Sequence, residues 1–123
     1  MLVVDDEPDA LTMVRLLLEA NEAHVGTAPS SEAALDLIGK EPFDVIVSDI
    51  GMPGGDGYML VSELRTRGIR TPAVAVTAFA RVEDRERAMA SGYQAHIAKP
   101  IDADELLAAV AEWGGRGASS CTS

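Results

Sequence analysis

The chain has few aromatic residues and only one cysteine, and each shortage excludes a class of protein. Phenylalanine, tyrosine and tryptophan make up only 4% of a sequence that is 47% hydrophobic, so a core has to be built from aliphatic side chains. This composition favours a buried parallel sheet that is covered by helices. Cys121 is the single cysteine, which excludes an intramolecular disulfide and a cysteine-based metal site, and a reducing cytoplasm fits it.

Basic residues and long apolar runs are also scarce. Ten Lys and Arg face twenty Asp and Glu, for a formal net charge of -10. A nucleic-acid backbone or an anionic membrane would be repelled over most of such a surface, so we expect no direct contact with either. No run approaches the roughly 18 apolar residues of a membrane span, and the start lacks the features of a signal peptide. We therefore expect a soluble, cytoplasmic domain, whose parent protein can still be anchored in a membrane.

The 123 residues fit one domain, in which apolar runs alternate with helical patterns. This alternation predicts an α/β fold with a doubly wound parallel sheet. We expect a domain over residues 1–113 and a disordered tail over 114–123. Gly39 and Gly92 are placed to end the second and fourth helices. The predicted strands are Leu2–Val4, His24–Thr27, Asp44–Ser48, Ala73–Val76 and Ala95–Ala98; the predicted helices begin at Pro8, at Ser30 or Ser31, at Tyr58, at Val82 and at Asp102.

Four of the five predicted strands end in side chains that can take part in chemistry. In a doubly wound sheet, ligands bind beyond the carboxyl ends of the strands, so these groups are expected at one edge. Each residue alone has an ordinary explanation, since Asp caps helices, Thr is common in strands and Lys is usually a solvated surface charge. Their joint placement is the informative feature. The groups are Asp5, Asp6 and Glu7 after the first strand, Asp49 after the third, Thr77 after the fourth, and Lys99 after the fifth.

The charges at this edge indicate a cation. Asp5, Asp6 and Asp49 would repel one another within a few ångströms, and something positive should compensate. Mg²⁺ suits the position, because it prefers oxygen ligands and is commonly held by one or two carboxylates beside a phosphate. Lys99 would add a second positive charge, and Thr77 could donate a hydrogen bond to a phosphoryl oxygen. The group suits phosphoryl transfer to a carboxylate.

The same residues resemble the receiver domains of response regulators and hybrid histidine kinases, from the start of the chain to about Trp113. The resemblance is carried by Val3-Val4-Asp5-Asp6-Glu7, by Asp49-Ile50-Gly51-Met52-Pro53-Gly54-Gly55-Asp56-Gly57, by Val76-Thr77-Ala78 and by Lys99-Pro100. It implies a flavodoxin-like sheet with strand order 2-1-3-4-5 and five helices.

The resemblance also implies roles for the acidic residues. Asp49 would be the phosphoacceptor. Asp6 and Asp49 would bind Mg²⁺ directly, Asp5 would help partly through water, and the backbone carbonyl of Gly51 would complete the metal site. Like other members of the family, the chain is expected to catalyse only its own phosphorylation and dephosphorylation.

Further roles follow for residues at the ends of the fourth and fifth strands. Lys99 would pair with the phosphoryl group, and Thr77 would move toward that group on activation. The Lys99-Pro100 peptide bond is expected to be cis, an isomer that is rare outside bonds to proline.

Three positions depart from the common pattern or tune it. His96 stands three residues before the lysine, where many members carry a switching Tyr or Phe; it could rotate inward, or stay exposed and respond to pH. Gly51 and Phe79 stand two residues beyond the phosphoacceptor and the threonine, where the family tunes attack by water. Gly51 has no side chain to orient a water and Phe79 could shield the acyl phosphate, so we expect slow dephosphorylation.

The expected function is that of a phosphorelay switch in a two-component system. A phosphohistidine on a histidine kinase or a histidine phosphotransfer domain would donate to Asp49, and the fourth helix, fifth strand and fifth helix would form the output face. The short start and the segment from Ala95 to Ile101 resemble a receiver at the C-terminal end of a hybrid sensor kinase.

Three alternatives remain open. A haloacid-dehalogenase-type phosphatase also uses an aspartate nucleophile and Mg²⁺, but it carries a second aspartate where this chain has Gly51, and it needs a cap domain. A flavodoxin-like FMN binder needs a phosphate cradle, whereas the loop after the first strand is acidic. A pseudo-receiver that serves only as an interaction module would keep the fold and take up no phosphoryl group.

Overall fold

The computed structural model describes residues 1–20, 24–41, 43–50, 56–77, 82–98 and 101–122, and for residues 56 and 113–122 it describes the backbone alone. Strands and helices alternate along these segments, as the sequence predicts. The strands are β1 (Leu2–Val4), β2 (Gly26–Ala28), β3 (Ile46–Asp49), β4 (Ala73–Thr77) and β5 (Ala95–Ala98); the helices are α1 (Pro8–Glu19), α2 (Ser31–Lys40), α3 (Asp56–Thr66), α4 (Val82–Ser91) and α5 (Ala103–Thr122).

The strands form one parallel sheet in the order β2-β1-β3-β4-β5, which confirms the predicted topology. Leu2 of β1 pairs with Gly26 of β2 on one side and with Ile46 of β3 on the other. The strand order therefore reverses at β1 and β3, and their carboxyl ends lie side by side. This is the place where an open α/β sheet offers a crevice for ligands.

Alternating strand residues supply two hydrophobic clusters, one on each face of the sheet, because successive side chains point in opposite directions. Burying one such aliphatic side chain contributes about 1.5–3 kcal/mol. The α3-side cluster includes Leu2, Val4, Ile46, Ala75, Leu60, Leu64 and Tyr93. The α5-side cluster includes Val3, Val47, Val74, Ile97, Val14, Leu18, Leu106 and Val110.

Four helix starts lie where the sequence predicts them, among them that of α4 at Val82. Pro8 occupies the first turn of α1, where its missing N–H is not needed. Ser30 caps α2, since its Oγ accepts a hydrogen bond from the N–H of Ala33 at 3.2 Å. Asp102 precedes α5, and its Oδ1 accepts from the N–H of Glu105 at 3.0 Å. Each cap satisfies a backbone donor that the helix itself leaves unpaired.

The prediction that Gly39 ends α2 is wrong. The helix continues through Gly39 to Lys40, and Glu41 leaves it in an extended conformation, with φ at -148°. The N–H of Glu41 still donates to the carbonyl oxygen of Leu37 at 3.0 Å. No left-handed residue is needed for such an exit, so a glycine has no special role there.

Several other boundaries differ from those expected. β3 covers Ile46–Asp49 instead of Asp44–Ser48, β4 ends at Thr77 instead of Val76, and α3 begins at Asp56 instead of Tyr58. β2 covers Gly26–Ala28 instead of His24–Thr27, because an edge strand pairs on one side only and its length follows its register with β1. The backbone of α5 continues to Thr122, although a disordered tail is expected from Gly114. Glycines disfavour a helix, but residues added to an existing helix do not bear the cost of nucleation. Among the described residues, no helix has the length and apolar character needed to span a membrane.

The helix α4 is the most lightly packed of the sheet's covering helices. Ala88 is its single buried residue, and no other α4 side chain packs against either cluster. Val82 and Met89 are exposed on it. The helix ends as predicted at Gly92, whose φ of +120° is a conformation that side-chain-bearing residues rarely adopt.

Candidate functional site

The strand register brings the predicted acidic residues together. Val4 of β1 pairs with Ser48 of β3, so Asp5 and Asp49 each follow a residue of this pair. Parallel neighbours end at the same edge of a sheet, which places the two carboxylates side by side. Asp6 follows directly in the turn between β1 and α1.

Asp5, Asp6 and Asp49 form a compact acidic cluster. Each offers a carboxylate oxygen, and these oxygens lie within 4.8 Å of one another. Asp5 and Asp49 are only 6% and 7% exposed, whereas Asp6 is exposed to solvent. Three negative groups at this distance repel, and burial of two of them removes the water that would screen the repulsion. The arrangement therefore favours a bound cation with a preference for oxygen.

The backbone around Asp5 explains how its side chain is oriented. The N–H of Asp5 donates to the carbonyl oxygen of Ala28 at 3.2 Å, which extends the pairing of β1 with β2 by one residue. Its Oδ1 accepts a hydrogen bond from the N–H of Glu7 at 2.9 Å. This bond, two residues along the chain, is typical of Asp in turns and leads directly into Pro8. Asp5 thus both ends the strand and begins the turn.

The backbone at Asp49 lies between β4 and the start of α3. The N–H of Ile50 donates to the carbonyl oxygen of Val76 at 2.9 Å, so the pairing of β3 with β4 continues past Asp49. The start of α3 lies against the same place. A Cβ added to Gly57 would come within 2.5 Å of the Ile50 Cα and 2.7 Å of the Asp49 carbonyl oxygen. Only glycine permits this approach.

Thr77 ends the strand that neighbours β3. It is the last residue of β4 and is 1% exposed. The residue before it, Val76, is the pairing partner of Asp49, and Thr77 itself pairs with Ala98 of β5. Its hydroxyl is thus carried by the strand adjacent to the phosphoacceptor candidate.

His96 lies half-buried on β5. Ala95 and Ile97 pack with the α5-side cluster, so the alternation of the strand directs His96 toward α4. Its Nε2 is buried and makes no hydrogen bond with the part of the chain that the structure describes. Burial, and then the positive charge of Arg85, lower the pKa of His96 below its ordinary value. The neutral ring is the favoured form.

Four predicted site residues lie outside the described residues: Gly51, Phe79, Lys99 and Pro100. Their roles, and the cis peptide bond, stay predictions.

Tyr93 is a buried residue near the site that sequence reasoning missed. It is 3% exposed, and its hydroxyl donates a hydrogen bond to the carbonyl oxygen of Gly57 at 2.7 Å. Burial raises the pKa of Tyr93 well above its usual range. The only signal in the sequence is a tyrosine just before a strand, which usually indicates core packing.

The response regulator receiver domain model matches residues 1–111. Among curated proteins, the chain is 41% identical over 115 residues to an uncharacterised 14.6 kDa protein of Leptolyngbya boryana, covering 92% of this chain and 88% of that one. It is 35% identical to the sensor histidine kinase GacS of Pseudomonas protegens, over 94% of this chain. It is 38% identical to the heme response regulator HssR of Staphylococcus aureus, over 86% of this chain. The chain spans only 13% of GacS and 47% of HssR.

Solved structures of response regulators are also similar to this chain. The receiver domain of the Francisella response regulator 1452 superposes with a TM-score of 0.88 at 32% identity, covering 94% of this chain and 95% of that one. The response regulator TrrA of Thermotoga maritima, solved in complex with Mg(2+)-BeF, superposes with a TM-score of 0.81 at 26% identity, covering 91% and 96%. Fold, strand order and sequence therefore agree, and the chain belongs to the receiver domain family of response regulators.

Proposed function

We propose that this domain accepts a phosphoryl group on Asp49, with Mg²⁺, and that the phosphorylated form acts on a partner or an attached domain. The observation that carries the proposal is the convergence of three carboxylates within 4.8 Å at the switch point of the sheet. Two of these carboxylates are almost fully buried, where the mutual repulsion of like charges is weakly screened. A binding site for a cation and an incoming phosphoryl group accounts for three acidic side chains being held so close together.

The donor set fits Mg²⁺. Asp5, Asp6 and Asp49 offer oxygen ligands only, and exposure of Asp6 leaves one side open to water and to a phosphodonor. The carbonyl oxygen of Gly51 is proposed as a further ligand. When bound, the ion would offset negative charge on the phosphoryl oxygens. TrrA, a relative of the same fold, was solved with Mg(2+)-BeF, which supports this assignment.

The reaction is a transfer between a phosphohistidine and a carboxylate. A carboxylate oxygen of Asp49 attacks the phosphorus, and the bond from phosphorus to the imidazole nitrogen breaks. The nitrogen keeps the electron pair of that bond and the ring takes up a proton from water, so the products are an acyl phosphate and a neutral histidine of the donor. Thr77 donates a hydrogen bond to a phosphoryl oxygen, and the ammonium group of Lys99 balances charge.

The phosphodonor is proposed to be a histidine kinase or a histidine phosphotransfer domain, and the parent protein a hybrid kinase. The similarity to part of GacS supports both assignments. Output is assigned to the face formed by α4, β5 and α5. Light packing of α4 supports this face, since a helix with one buried side chain can shift at little cost. His96, which points toward α4, is the proposed link between the site and that face.

The phosphorylated form is expected to be long-lived, because Gly51 has no side chain to orient a water and Phe79 could shield the acyl phosphate. The decay of purified phosphoprotein in excess Mg²⁺ measures this directly. A half-life of seconds would contradict it.

Intact mass spectrometry after incubation with acetyl phosphate and Mg²⁺ tests the proposal. We expect one phosphoryl increment, which is lost when the metal is chelated and lost in Asp49→Asn. Asp36→Asn is the matched control, because Asp36 is an exposed aspartate on α2 that is paired with Lys40; it should take up the group like the wild type. A wild-type chain that gains no increment would indicate a pure interaction module instead.

A further inference from the structure

The hydroxyl of Tyr93 joins two parts of the chain that meet near Asp49. Tyr93 lies between α4 and β5, and its own N–H donates to the carbonyl oxygen of Ala88 at 3.1 Å, which fixes it to the end of α4. From there the side chain reaches through the α3-side cluster to the first turn of α3. Its hydroxyl donates to the carbonyl oxygen of Gly57 at 2.7 Å, and this bond is buried.

Gly57, which accepts that hydrogen bond, lies against the backbone of the phosphoacceptor Asp49. It lies so close to the end of β3 that a Cβ on it would stand 2.7 Å from the Asp49 carbonyl oxygen and 2.5 Å from the Ile50 Cα. With so little space between the two backbones, a shift of Gly57 toward β3 would press on Asp49 and Ile50. A hydrogen bond that fixes Gly57 therefore also restricts Asp49.

Ser48, directly before Asp49, lies close enough to the phenol to influence its pKa. Its Oγ is buried and makes no hydrogen bond of acceptable geometry with the described residues. The Gly57 carbonyl, at 2.7 Å, is thus the partner that fixes the Tyr93 hydroxyl. Burial, and the nearby charge of Asp49, favour the protonated phenol, so the donor persists at any ordinary pH.

We propose that Tyr93 is a positioning residue for phosphorylation, whose hydroxyl holds the start of α3 against the end of β3 and so keeps the Asp49 carboxylate in line for attack. The inference rests on the proposed function of Asp49. Phosphoryl transfer depends on alignment of the attacking and leaving oxygens, so a small displacement at Asp49 costs rate even when the fold is intact.

Tyr93→Phe removes only the hydroxyl. With acetyl phosphate as donor, the Asp49 oxygen forms the new bond to phosphorus while the bond from phosphorus to the acetate oxygen breaks, and acetate leaves with the electron pair. We expect the maximal rate at saturating donor and Mg²⁺ to fall about fivefold, the change that corresponds to loss of one hydrogen bond of ~1 kcal/mol. The rate is measured per folded molecule, well below the unfolding midpoint of every variant.

Two matched controls separate positioning from stability. Tyr58→Phe makes the same chemical change at the other tyrosine of the chain, a partly exposed residue of α3 that contacts Arg87. Val110→Ala removes buried methyl groups from the α5-side cluster, on the opposite face of the sheet. Both should keep the wild-type rate per folded molecule, although Val110→Ala lowers the unfolding midpoint.

Each outcome decides the inference. A Tyr93→Phe variant with the wild-type rate overturns it while the proposed function stands. An equal loss of rate in Val110→Ala, or a Tyr93→Phe chain that is unfolded under the assay conditions, would make the hydroxyl merely structural and overturns it as well. A wild-type chain that takes up no phosphoryl group overturns the proposed function, and the role of Tyr93 with it.

Discussion

Arg65 of α3 donates two hydrogen bonds to the carbonyl oxygen of Gly92, one from Nε at 3.3 Å and one from Nη2 at 2.9 Å. The other arm of the guanidinium donates to the carbonyl oxygens of Ile69 at 2.8 Å and Thr71 at 2.9 Å. Nη2 also donates to Oε1 of Gln94, which in turn accepts from the N–H of Ala73. One side chain thus ties the end of α3, the start of β4 and the start of β5 together.

Arg65→Lys should destabilise the domain by about 2–3 kcal/mol. A single ammonium cannot replace the several N–H donors of the guanidinium, so partly buried carbonyl groups lose their partners. Urea unfolding measures the change. Arg67→Lys is the matched control, since Arg67 makes one exposed ion pair with Glu63, and it should change stability by less than about 0.5 kcal/mol. If the two substitutions lowered the unfolding free energy equally, the conclusion that Arg65 ties α3, β4 and β5 together would be contradicted.

Gly57→Ala and Gly39→Ala should have opposite effects. The new methyl group at Gly57 meets backbone atoms of Asp49 and Ile50, which cannot give way cheaply, so we expect a loss of about 1–3 kcal/mol and slower phosphorylation. At Gly39, inside α2, no atom lies within 4 Å, and alanine should stabilise the domain by about 0.5–1 kcal/mol. Chemical denaturation measures the unfolding free energy of both variants. A Gly57→Ala chain as stable as the wild type would show that Gly57 is not tightly packed against Asp49 and Ile50.

Asp49→Asn should stabilise the metal-free domain, because it removes one of three repelling carboxylates. The gain is expected to be about 1–4 kcal/mol, the repulsion between charges ~4 Å apart under solvent-like to surface-like screening. Mg²⁺ should stabilise the wild type by about 2.7 kcal/mol at 100 times its dissociation constant, and the variant much less. Unfolding with MgCl2 and with a chelator measures both effects. Glu83→Gln, an exposed acid on α4, should change neither.

His96 should make stability depend on pH. Burial and Arg85 lower its pKa in the folded protein from the ordinary value of 6.5, although Asp84 and Glu105 oppose this shift. Between the folded and unfolded pKa values the unfolded chain binds more protons, so stability rises with pH across that window and is lost as pH falls below 6.5. The unfolding free energy of the wild type should be higher at about pH 7.5 than at about pH 5.5, and His96→Gln should reduce this difference. The exposed His24, replaced by Gln, is the control, and an unchanged slope in His96→Gln would refute the prediction.

The parts of this fold that follow local rules were predictable. Pro8, Ser30 and Asp102 mark helix starts through their own chemistry, and the ends of the first and third strands predicted that Asp5 and Asp49 would meet. The exact ends of β2 were not predictable, because an edge strand takes its limits from its partner.

Contacts between distant segments were not predictable either. The bond from Tyr93 to Gly57 and those from Arg65 to Gly92 join residues far apart in sequence. A tyrosine before a strand and an arginine near a helix end have ordinary explanations in the sequence. Their specific partners become visible only when the sheet has brought the loops together.

The light packing of α4 has a consequence for how the domain opens. A helix that contributes only Ala88 to the core can unfold locally without exposing the rest of either cluster. Its backbone amides should therefore exchange with deuterium through a partial opening that costs much less than global unfolding. Those of β3 and β4, buried between the two clusters, should exchange only through the global event. The domain then consists of two cooperative units, a persistent one around the sheet and a labile one formed by α4.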